Sequence, residues 1–248
     1  METLTCRLLP FATADGPHNM AADEALMESA AAGVASVRFY GWSPATLSLG
    51  YFQSAKIRLT DARLAALLFV RRPSGGAALI HDHELTYALA LPAGPPWQKP
   101  GEKVSTWLDR MHRVIAAALR DLGVAARATP GQEEPFRGDL CFQHLTAGDL
   151  VIGRDKVVGS AQRRHQGALL QHGGILLAAS PHAPVLPGIR ELTGRSLTAA
   201  ELSAAIGRRL AEETGSILTP GTWTPAERER IAHLVARKYG RSAWNGKR

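Results

Sequence analysis

Cys141 and Lys156 are the two residues of this chain whose types and settings point most directly to covalent chemistry. A cysteine attacks as its thiolate, and a nearby cation stabilises that form. Cys141 follows a polar loop at residues 130–139, which predicts that its thiol is reachable. Lys156 stands on an apolar strand just before small residues at 159–161, which predicts a cation directed into a cleft with a backbone wall.

Both residues also have a purely structural interpretation. Free cysteine is most often a small buried hydrophobe, and a lysine on an edge strand discourages aggregation. The local sequence leaves these alternatives open. The other cysteine, Cys6, has no comparable setting, and two cysteines exclude a disulfide framework and fit a reducing compartment.

A glycine segment at residues 71–77 could bind an anion. The paired glycines Gly75 and Gly76 let backbone N–H groups approach a ligand closely. Arg71 and Arg72 add charge for a phosphate or a carboxylate. The alternative is a tight turn with a solvated basic rim, since paired glycines are common in turns. The segment lacks the Gly-Lys-Ser/Thr ending of a Walker A loop.

Histidines suggest two further roles. His81 and His83 could ligate a metal, but no third ligand stands at a suitable spacing, so we expect no metal site. His172, which precedes two glycines, could carry protons or could simply bond to a strand end.

The elements that must position these residues are short strands and a few helices. Strands are predicted at residues 36–40, 46–51, 68–71, 78–80, 85–91, 149–152, 156–158 and 168–177. Helices are predicted from a cap at Asn19, at residues 60–68 and 105–122, and in a C-terminal helical segment at about 198–240. In that segment Thr198 with Glu201, and Thr224 with Glu227, form capping boxes. Because strict β-α-β alternation is absent, we predict an α+β fold with a mostly antiparallel mixed sheet flanked by helices.

Composition narrows the class of protein. The 248 residues are 45% hydrophobic and 21% charged, which is typical of a globular chain. The net charge of +7 favours an acidic partner. A non-catalytic basic module that binds nucleic acid is disfavoured, because the cations are dispersed and only 6% of residues are aromatic. Neither a signal peptide nor a long apolar stretch is recognisable, so we expect a cytoplasmic protein without membrane contact.

Several motifs of this chain resemble those of a known family and occur in the same order. They lie at residues 19–24, 47–53, 71–76, 156–161, 171–177 and 244–245. Together they resemble the lipoate/biotin protein ligase family, in its lipoate-protein ligase A-like branch. The resemblance covers nearly the whole chain and implies one catalytic domain over residues 1–248.

The resemblance also implies which residues form the site. Cys141 and Lys156 are expected to be catalytic. The expected substrate-binding residues are Arg71, Arg72, Ser74, Gly75, Gly76, Ala77, His81, Gly159, Ser160, Ala161, His172 and Gly173. The expected walls of an apolar slot for an acyl chain are Leu79, Val157, Val158 and Ile175, with Trp42 and Tyr87.

The family contains two chemistries. Its ligases activate lipoate or octanoate with ATP and pass through an acyl-adenylate, whereas its octanoyltransferases use a cysteine thioester and no ATP. Three features here are similar to the transferases. Cys141 lies 15 residues before Lys156, a Glu84-Leu85-Thr86-Tyr87 segment follows His81 and Asp82, and the chain is expected to end soon after the catalytic domain, at Arg248. Ala77 stands where ligases usually have glycine, which weakens nucleotide binding.

The resemblance therefore implies an octanoyltransferase without a cofactor. It would move an octanoyl group from acyl carrier protein, through Cys141, to a lysine of a lipoyl domain. The acceptors would be glycine cleavage H protein or the E2 subunits of dehydrogenases. These partners are characteristically acidic, which fits the positive net charge. The alternative is an ATP-dependent lipoate-protein ligase, which would need ATP and Mg.

Overall fold

A computed structural model describes residues 4–98, 101, 103, 105–131 and 140–248. Within these ranges the strands are β1 (Thr5–Leu8), β2 (Ala12–Ala14), β3 (Ser36–Trp42), β4 (Thr46–Leu49), β5 (Leu68–Arg71), β6 (Leu79–His81), β7 (Glu84–Pro92), β8 (Arg127–Ala128), β9 (Leu150–Ile152), β10 (Asp155–His165), β11 (Ala168–Leu176) and β12 (Ile217–Pro220). The α-helices are α1 (Gly16–Ala31), α2 (Ala62–Ala65), α3 (Ser105–Asp121), α4 (Ile189–Thr193), α5 (Ala199–Thr214), α6 (Pro225–Leu234) and α7 (Ser242–Asn245). Short 3-10 turns lie at Ala55–Leu59 and Cys141–Gln143, and a π-helical turn extends α6 over Val235–Tyr239.

The strands form a large sheet and a small one. In the large sheet the order is β12-β1-β3-β7-β11-β10-β9-β8, with β2 added beside β3. Its centre, from β3 to β8, is antiparallel throughout, whereas β1 pairs in parallel with both β12 and β3. The small sheet has the order β5-β4-β6. The predicted α+β fold with a mostly antiparallel mixed sheet is confirmed.

Each face of the large sheet is covered by helices. Helices α3 and α5 pack against each other over one face, and α1 with α6 covers the other. On α3 the side chains of Trp107, Met111, Ile115 and Leu119 are buried in the main core. Full burial of such side chains contributes roughly 1.5–3 kcal/mol each, so this helical stripe holds α3 to the sheet.

The first helix begins one turn earlier than the sequence predicted. Asp15, not Asn19, is the cap, because its carboxylate accepts a hydrogen bond from the backbone N–H of His18 at 2.9 Å. Asn19 lies inside the helix and donates through Nδ2 to the carbonyls of Ala14 and Gly41. The prediction was wrong because the strand β2 ends directly at the helix, so the first turn had to be capped from Asp15.

The C-terminal segment combines the expected helices with an unexpected strand. Thr198 caps α5 and Thr224 caps α6, each with the glutamate three residues on completing the box, as predicted. Between them β12 pairs in parallel with β1, which ties the segment to the sheet edge. The assignment of the whole chain to one catalytic domain stays a prediction.

Residues 132–139 of the predicted polar loop lie outside the described residues. None of the helices that the structure describes has the length and apolar character needed to cross a membrane.

Candidate active site

The candidate site lies where the paired strands β10 and β11 meet the 3-10 turn Cys141–Gln143. In the β10–β11 ladder Gly159 stands opposite Gly174. The turn is attached beside β6, because the backbone N–H of Cys141 donates to the carbonyl of Ala78 at 2.7 Å. The turn also contacts β10, the strand that carries Lys156.

The ammonium of Lys156 lies beside the sulfur of Cys141. The distance from Nζ to Sγ is 3.5 Å, and Nζ also donates to the carbonyls of Cys141 and His144. Asp149 forms an ion pair with the same nitrogen at 2.6 Å. Lys156 and Asp149 are both buried, so the carboxylate compensates a charge that would otherwise be costly to bury.

Gly159 has no side chain and therefore leaves room for the side chains of Lys156 and Cys141. A Cβ at position 159 would lie 2.6 Å from Cε of Lys156 and 3.7 Å from Sγ of Cys141. Any larger residue would therefore displace the lysine from the thiol. The small residue at position 159, on the same strand as Lys156, therefore has a direct steric reason.

Arg72 holds the glycine segment in shape. Its Nη2 donates to the carbonyls of Gly75 and Ala77, at 2.8 and 2.7 Å, and its Nη1 donates to Ser48. Burial lowers the pKa of Arg72 to about 10, and the nearby Cys141 sulfur opposes that shift. Arg72 therefore stays charged at neutral pH within electrostatic range of the thiol.

Arg71 does not reach the site, contrary to the sequence prediction. Its guanidinium donates to the carbonyls of Gly50, Tyr51, Gln53 and Asn245, and its backbone N–H donates to the Asn245 side chain. These bonds fasten the C-terminal tail to the small sheet. Neighbouring residues on a strand face opposite sides, so of the two arginines only Arg72 turns towards the cleft.

Ser74 belongs to a buried chain of hydrogen bonds that ends in a carboxylate. Its Oγ lies 2.5 Å from Nε2 of His172, and Nδ1 of His172 lies 2.7 Å from Asp23. Asp23 also accepts from Arg38 and from the hydroxyl of Tyr40. Burial alone would raise the pKa of Asp23, but Arg38, His172 and Tyr40 lower it below its usual value. Asp23 is therefore an anion that fixes the ring of His172.

His81 is held by a second carboxylate. Its Nδ1 lies 2.5 Å from Oε1 of Glu84, its Nε2 lies 2.7 Å from the Ser48 hydroxyl, and its ring stacks on Trp42 with centroids 3.8 Å apart. Thr86 donates to the same Oε1. Among the described residues no group of three or more potential metal ligands occurs, and His83 instead contacts the carbonyl of Ala179.

These groups surround one cleft of about 450 Å³, including its open mouth. It is lined by Met20, Tyr40, Trp42, Ser48, Arg72, Gly76, Leu79, His81, Thr86, Cys141, Gly159, Ser160, Ala161, His172, Gly173 and Gly174. Eight of the twelve predicted substrate-binding residues are therefore at the cleft wall. Of the other four, Ser74 supports His172, Gly75 and Ala77 bond to Arg72, and Arg71 lies elsewhere. The lining is largely apolar, as an acyl chain requires.

The expected apolar walls are partly wrong. Leu79 and Trp42 line the cleft, but Val157, Val158, Ile175 and Tyr87 lie in the core between the sheet and α3. The register shift between Lys156 and Val158 in the β9–β10 pairing places both valines in that core. A bulge of this kind is not visible in a sequence pattern.

Behind the cleft a polar chain supports Ser160. Its hydroxyl lies 2.7 Å from Nε2 of His112 and 2.7 Å from the hydroxyl of Tyr87. Nδ1 of His112 lies 2.7 Å from the carbonyl of Gly148, and burial lowers the pKa of His112, so the ring is neutral. Burial raises the pKa of Tyr87 to about 12. Sequence reasoning missed Asp23 and His112 as supports, although Asp23 lies in a matched motif.

The chain matches known proteins over most of its length. The family model described as "Lipoyl protein ligase A/B catalytic domain" matches residues 15–184. A relative named octanoyltransferase LipM from Symbiobacterium thermophilum is 35% identical, with 99% of each chain covered. Its namesake from Bacillus subtilis is 32% identical, with 100% of each chain covered.

Solved structures show the same fold. A crystal structure of lipoate-protein ligase A bound with ATP has a TM-score of 0.80 at 22% identity, covering 98% of this chain and 99% of that one. A bi-partite lipoate protein ligase from Thermoplasma acidophilum, studied with its E2 lipoyl domain, has a TM-score of 0.77 at 20% identity. It covers 99% of this chain and 97% of that one.

A thiol beside an ammonium at a largely apolar cleft suits acyl transfer through a thioester, and the relatives named octanoyltransferase give the class of enzyme as an acyltransferase. The chain belongs to the lipoyl protein ligase A/B catalytic domain family. Within it the curated relatives support the octanoyltransferase branch, which agrees with the sequence prediction.

Proposed function

We propose that this protein takes an octanoyl group from acyl carrier protein, holds it as a thioester on Cys141, and transfers it to a lysine of a lipoyl domain. The observation that carries the proposal is the 3.5 Å contact between Lys156 Nζ and Cys141 Sγ at an apolar cleft. Relatives named octanoyltransferase over the full chain support the same reaction.

In the first half-reaction Cys141 Sγ attacks the carbonyl carbon of the octanoyl thioester. A new S–C bond forms, the bond to the carrier sulfur breaks, and the carrier leaves as a thiol with the proton that Cys141 gives up. Lys156 stabilises the negative charge that develops on sulfur, because a fixed cation in a dry site costs no reorganisation during the step. Asp149 holds the lysine in position.

In the second half-reaction the amine of the acceptor lysine attacks the thioester on Cys141. An amide C–N bond forms, the S–C bond breaks, and the thiol of Cys141 is restored. A thioester is a better acyl donor than an amide, so the transfer needs no ATP. Two steps through a covalent intermediate replace one difficult transfer.

The partners follow from charge and from similarity to known proteins. The net charge of +7 suits acidic carrier and lipoyl domains, because electrostatic attraction speeds association. The Thermoplasma ligase was studied with an E2 lipoyl domain, which supports a lipoyl-domain acceptor here. We place the reaction in the cytoplasm, with no cofactor.

The test is an intact mass after incubation with octanoyl-acyl carrier protein. We expect one octanoyl group on the wild-type protein and none on Cys141→Ala. Cys6→Ala is the matched control and keeps the added mass. Cys6 is buried, and burial raises the pKa of its thiol to about 12, so it does not compete.

A second experiment distinguishes transfer from acyl carrier protein from ATP-dependent ligation. An apo-lipoyl domain is added with either octanoyl-acyl carrier protein or free octanoate plus ATP and Mg. We expect modification in the first mixture only. If Cys141→Ala modifies the lipoyl domain at the wild-type rate with ATP and free octanoate, the protein is a ligase and the proposal is wrong.

A further inference from the structure

We propose that Oε2 of Glu84 is the site that binds the ε-ammonium of the acceptor lysine and takes its proton. This inference rests on the proposed function, since it concerns the second half-reaction. Glu84 stands in a segment that is similar to the transferases, and its Oε1 holds His81, but neither observation assigns a role to Oε2.

Glu84 is buried and only one of its oxygens has partners. It is 6% exposed at the start of β7. Oε1 accepts from Thr86 Oγ1 and pairs with Nδ1 of His81. Thr86 in turn accepts from Nε1 of Trp42 at 2.7 Å, so the orientation of the carboxylate is fixed by several bonds. Among the described residues Oε2 has no hydrogen-bond partner. A buried acceptor without a partner is costly in a native protein and needs a functional explanation.

Oε2 lies on the same face of the sheet as the reactive sulfur. A Cβ built on Gly174 would be 2.6 Å from Oε2, and Gly174 lines the cleft. A Cβ built on Gly159 would be 3.7 Å from Sγ of Cys141. Gly174 and Gly159 stand opposite each other in the ladder. The Cβ atoms of residues directly opposite each other in an antiparallel pair are about 4.5–5.5 Å apart. The free oxygen of Glu84 and the thiol of Cys141 therefore lie on one side of the sheet, next to paired positions of β11 and β10.

The other polar groups of the cleft are less suited to a cation. Both ring nitrogens of His172 already have partners in Ser74 and Asp23. His81 uses its nitrogens on Glu84 and Ser48. Arg72 and Lys156 are cations that repel an ammonium. Among the described residues the ionisable groups that line the cleft are Tyr40, Arg72, His81, Cys141 and His172, and of these His81 bonds to Glu84. Oε2 of Glu84 lies behind the cleft wall at Gly174 and bonds to none of them.

The reaction needs such an acceptor. Free lysine has a pKa of about 10.4, so only about one side chain in 2,500 is an uncharged amine at pH 7. In the proposed step the ammonium gives one proton to Oε2 and the amine attacks the thioester carbon. The C–N bond forms, the C–S bond breaks, and a second N–H proton goes to the leaving sulfur. The products are the amide, neutral Glu84 and the Cys141 thiol, and Glu84 then returns its proton to water.

Glu84→Gln tests this role with little change in shape. The amide oxygen still accepts from His81 and Thr86, whereas the amide nitrogen replaces Oε2 and accepts nothing. The variant is compared with wild type in two separate measurements. The first is the rate at which octanoyl-acyl carrier protein loads Cys141. The second is the rate at which the isolated acyl-enzyme loses its octanoyl group to an apo-lipoyl domain.

We expect loading to stay within about threefold of wild type and discharge at pH 7 to fall about 100-fold, a common effect of losing a general base. Discharge of the variant recovers as the pH approaches about 10, where the lysine becomes an amine without help. Hydroxylamine, a nucleophile already uncharged at neutral pH, discharges variant and wild type equally. Asp82→Asn is the matched control, because that nearby carboxylate bonds to Ser180 outside the cleft.

Three results would contradict the role of Glu84. Equal loss in loading and discharge, an unchanged discharge rate, or a matching loss with hydroxylamine would each overturn the role of Glu84. Failure of the wild-type protein to load Cys141 at all is seen in the first measurement and counts against the proposed function instead. If Glu84→Gln does not fold, Glu84→Asp replaces it. That variant keeps the carboxylate but withdraws it, so slowed discharge with normal loading supports the role, and any other pattern contradicts it.

Discussion

The ammonium nitrogen of Lys156 lies 3.5 Å from the sulfur of Cys141. The same nitrogen pairs with Asp149 at 2.6 Å, and Lys156 and Asp149 are buried. The lysine is therefore placed for two functions. Its ammonium can stabilise charge on the sulfur, and it neutralises a carboxylate that has little access to water.

Lys156→Met should reduce both activity and stability. We expect acyl loading of Cys141 to fall at least about 100-fold, since removal of one preorganised electrostatic group commonly costs that much. We also expect the free energy of unfolding to fall by about 3 kcal/mol, because Asp149 is left buried without its partner. Chemical denaturation and intact-mass kinetics measure the two effects separately.

The double variant Lys156→Met/Asp149→Asn distinguishes the two functions. Removal of both charges should restore most of the lost stability while loading stays slow. Restored loading in the double variant would show that Lys156 acts on stability alone.

Gly159→Ala should displace Lys156 without unfolding the protein. The new Cβ would lie 2.6 Å from Cε of Lys156, so the side chain must move away from the thiol. We expect loading to fall about tenfold or more, as small misplacements at reacting groups are expensive. Gly207→Ala on α5 is the matched control, since its Cβ would lie an ordinary 3.5 Å from Cδ1 of Leu218. That variant should retain full loading, and equal losses in both would contradict the steric argument.

Much of this site could be predicted from the sequence because its motifs are contiguous. The strand carrying Lys156, the glycine segment and the strand carrying His172 are each recognisable. The β10–β11 ladder places the two strands together, and the glycine segment meets them at the cleft. The predicted capping boxes were confirmed for the same reason, since a cap is decided by residues within one turn.

The sequence predictions that were wrong or incomplete share one physical cause, because they depend on contacts between residues far apart in the chain. Nothing near Arg71 in the sequence reveals that its guanidinium meets the carbonyl of Asn245 at the far end of the chain. Likewise the bulge beside Lys156 turns Val157 into the core, and only the pairing with β9 shows it. Asp23 supports His172 across 149 residues of sequence.

Arg71 and Arg72 should respond differently when each is replaced by lysine. Arg71→Lys cannot maintain the bonds to several separate carbonyls, so we expect the free energy of unfolding to fall by about 2–4 kcal/mol. Its loading rate should stay near wild type at a temperature where it is folded. Arg72→Lys should instead slow loading about tenfold, because one ammonium cannot hold the Gly75 and Ala77 carbonyls and Ser48 together.

Thermal unfolding and loading rates decide between these roles. A variant Arg71→Lys that is stable but slow would place Arg71 in the substrate path after all. A variant Arg72→Lys with normal loading would show that the glycine segment keeps its shape without the guanidinium.

The pair between Glu227 on α6 and Arg7 on β1 should make stability depend on pH. Burial alone would raise the pKa of Glu227, but hydrogen bonds from Arg7, the Thr224 backbone and Ser29 lower it to about 2. Because the folded pKa lies below the unfolded value of about 4.3, the stabilisation is complete above that value. It is lost as the pH falls from there towards 2.

Glu227→Gln should therefore be less stable than wild type at pH 7 by about 1–2 kcal/mol, a value reduced for residual contact with water. The difference should shrink steadily when denaturation is repeated from pH 5 down to pH 3. Glu229→Gln on the same helix is the control, because that side chain is exposed and should show no such trend. A difference that stays constant over this range would mean that shape, rather than charge, holds α6 to the sheet edge.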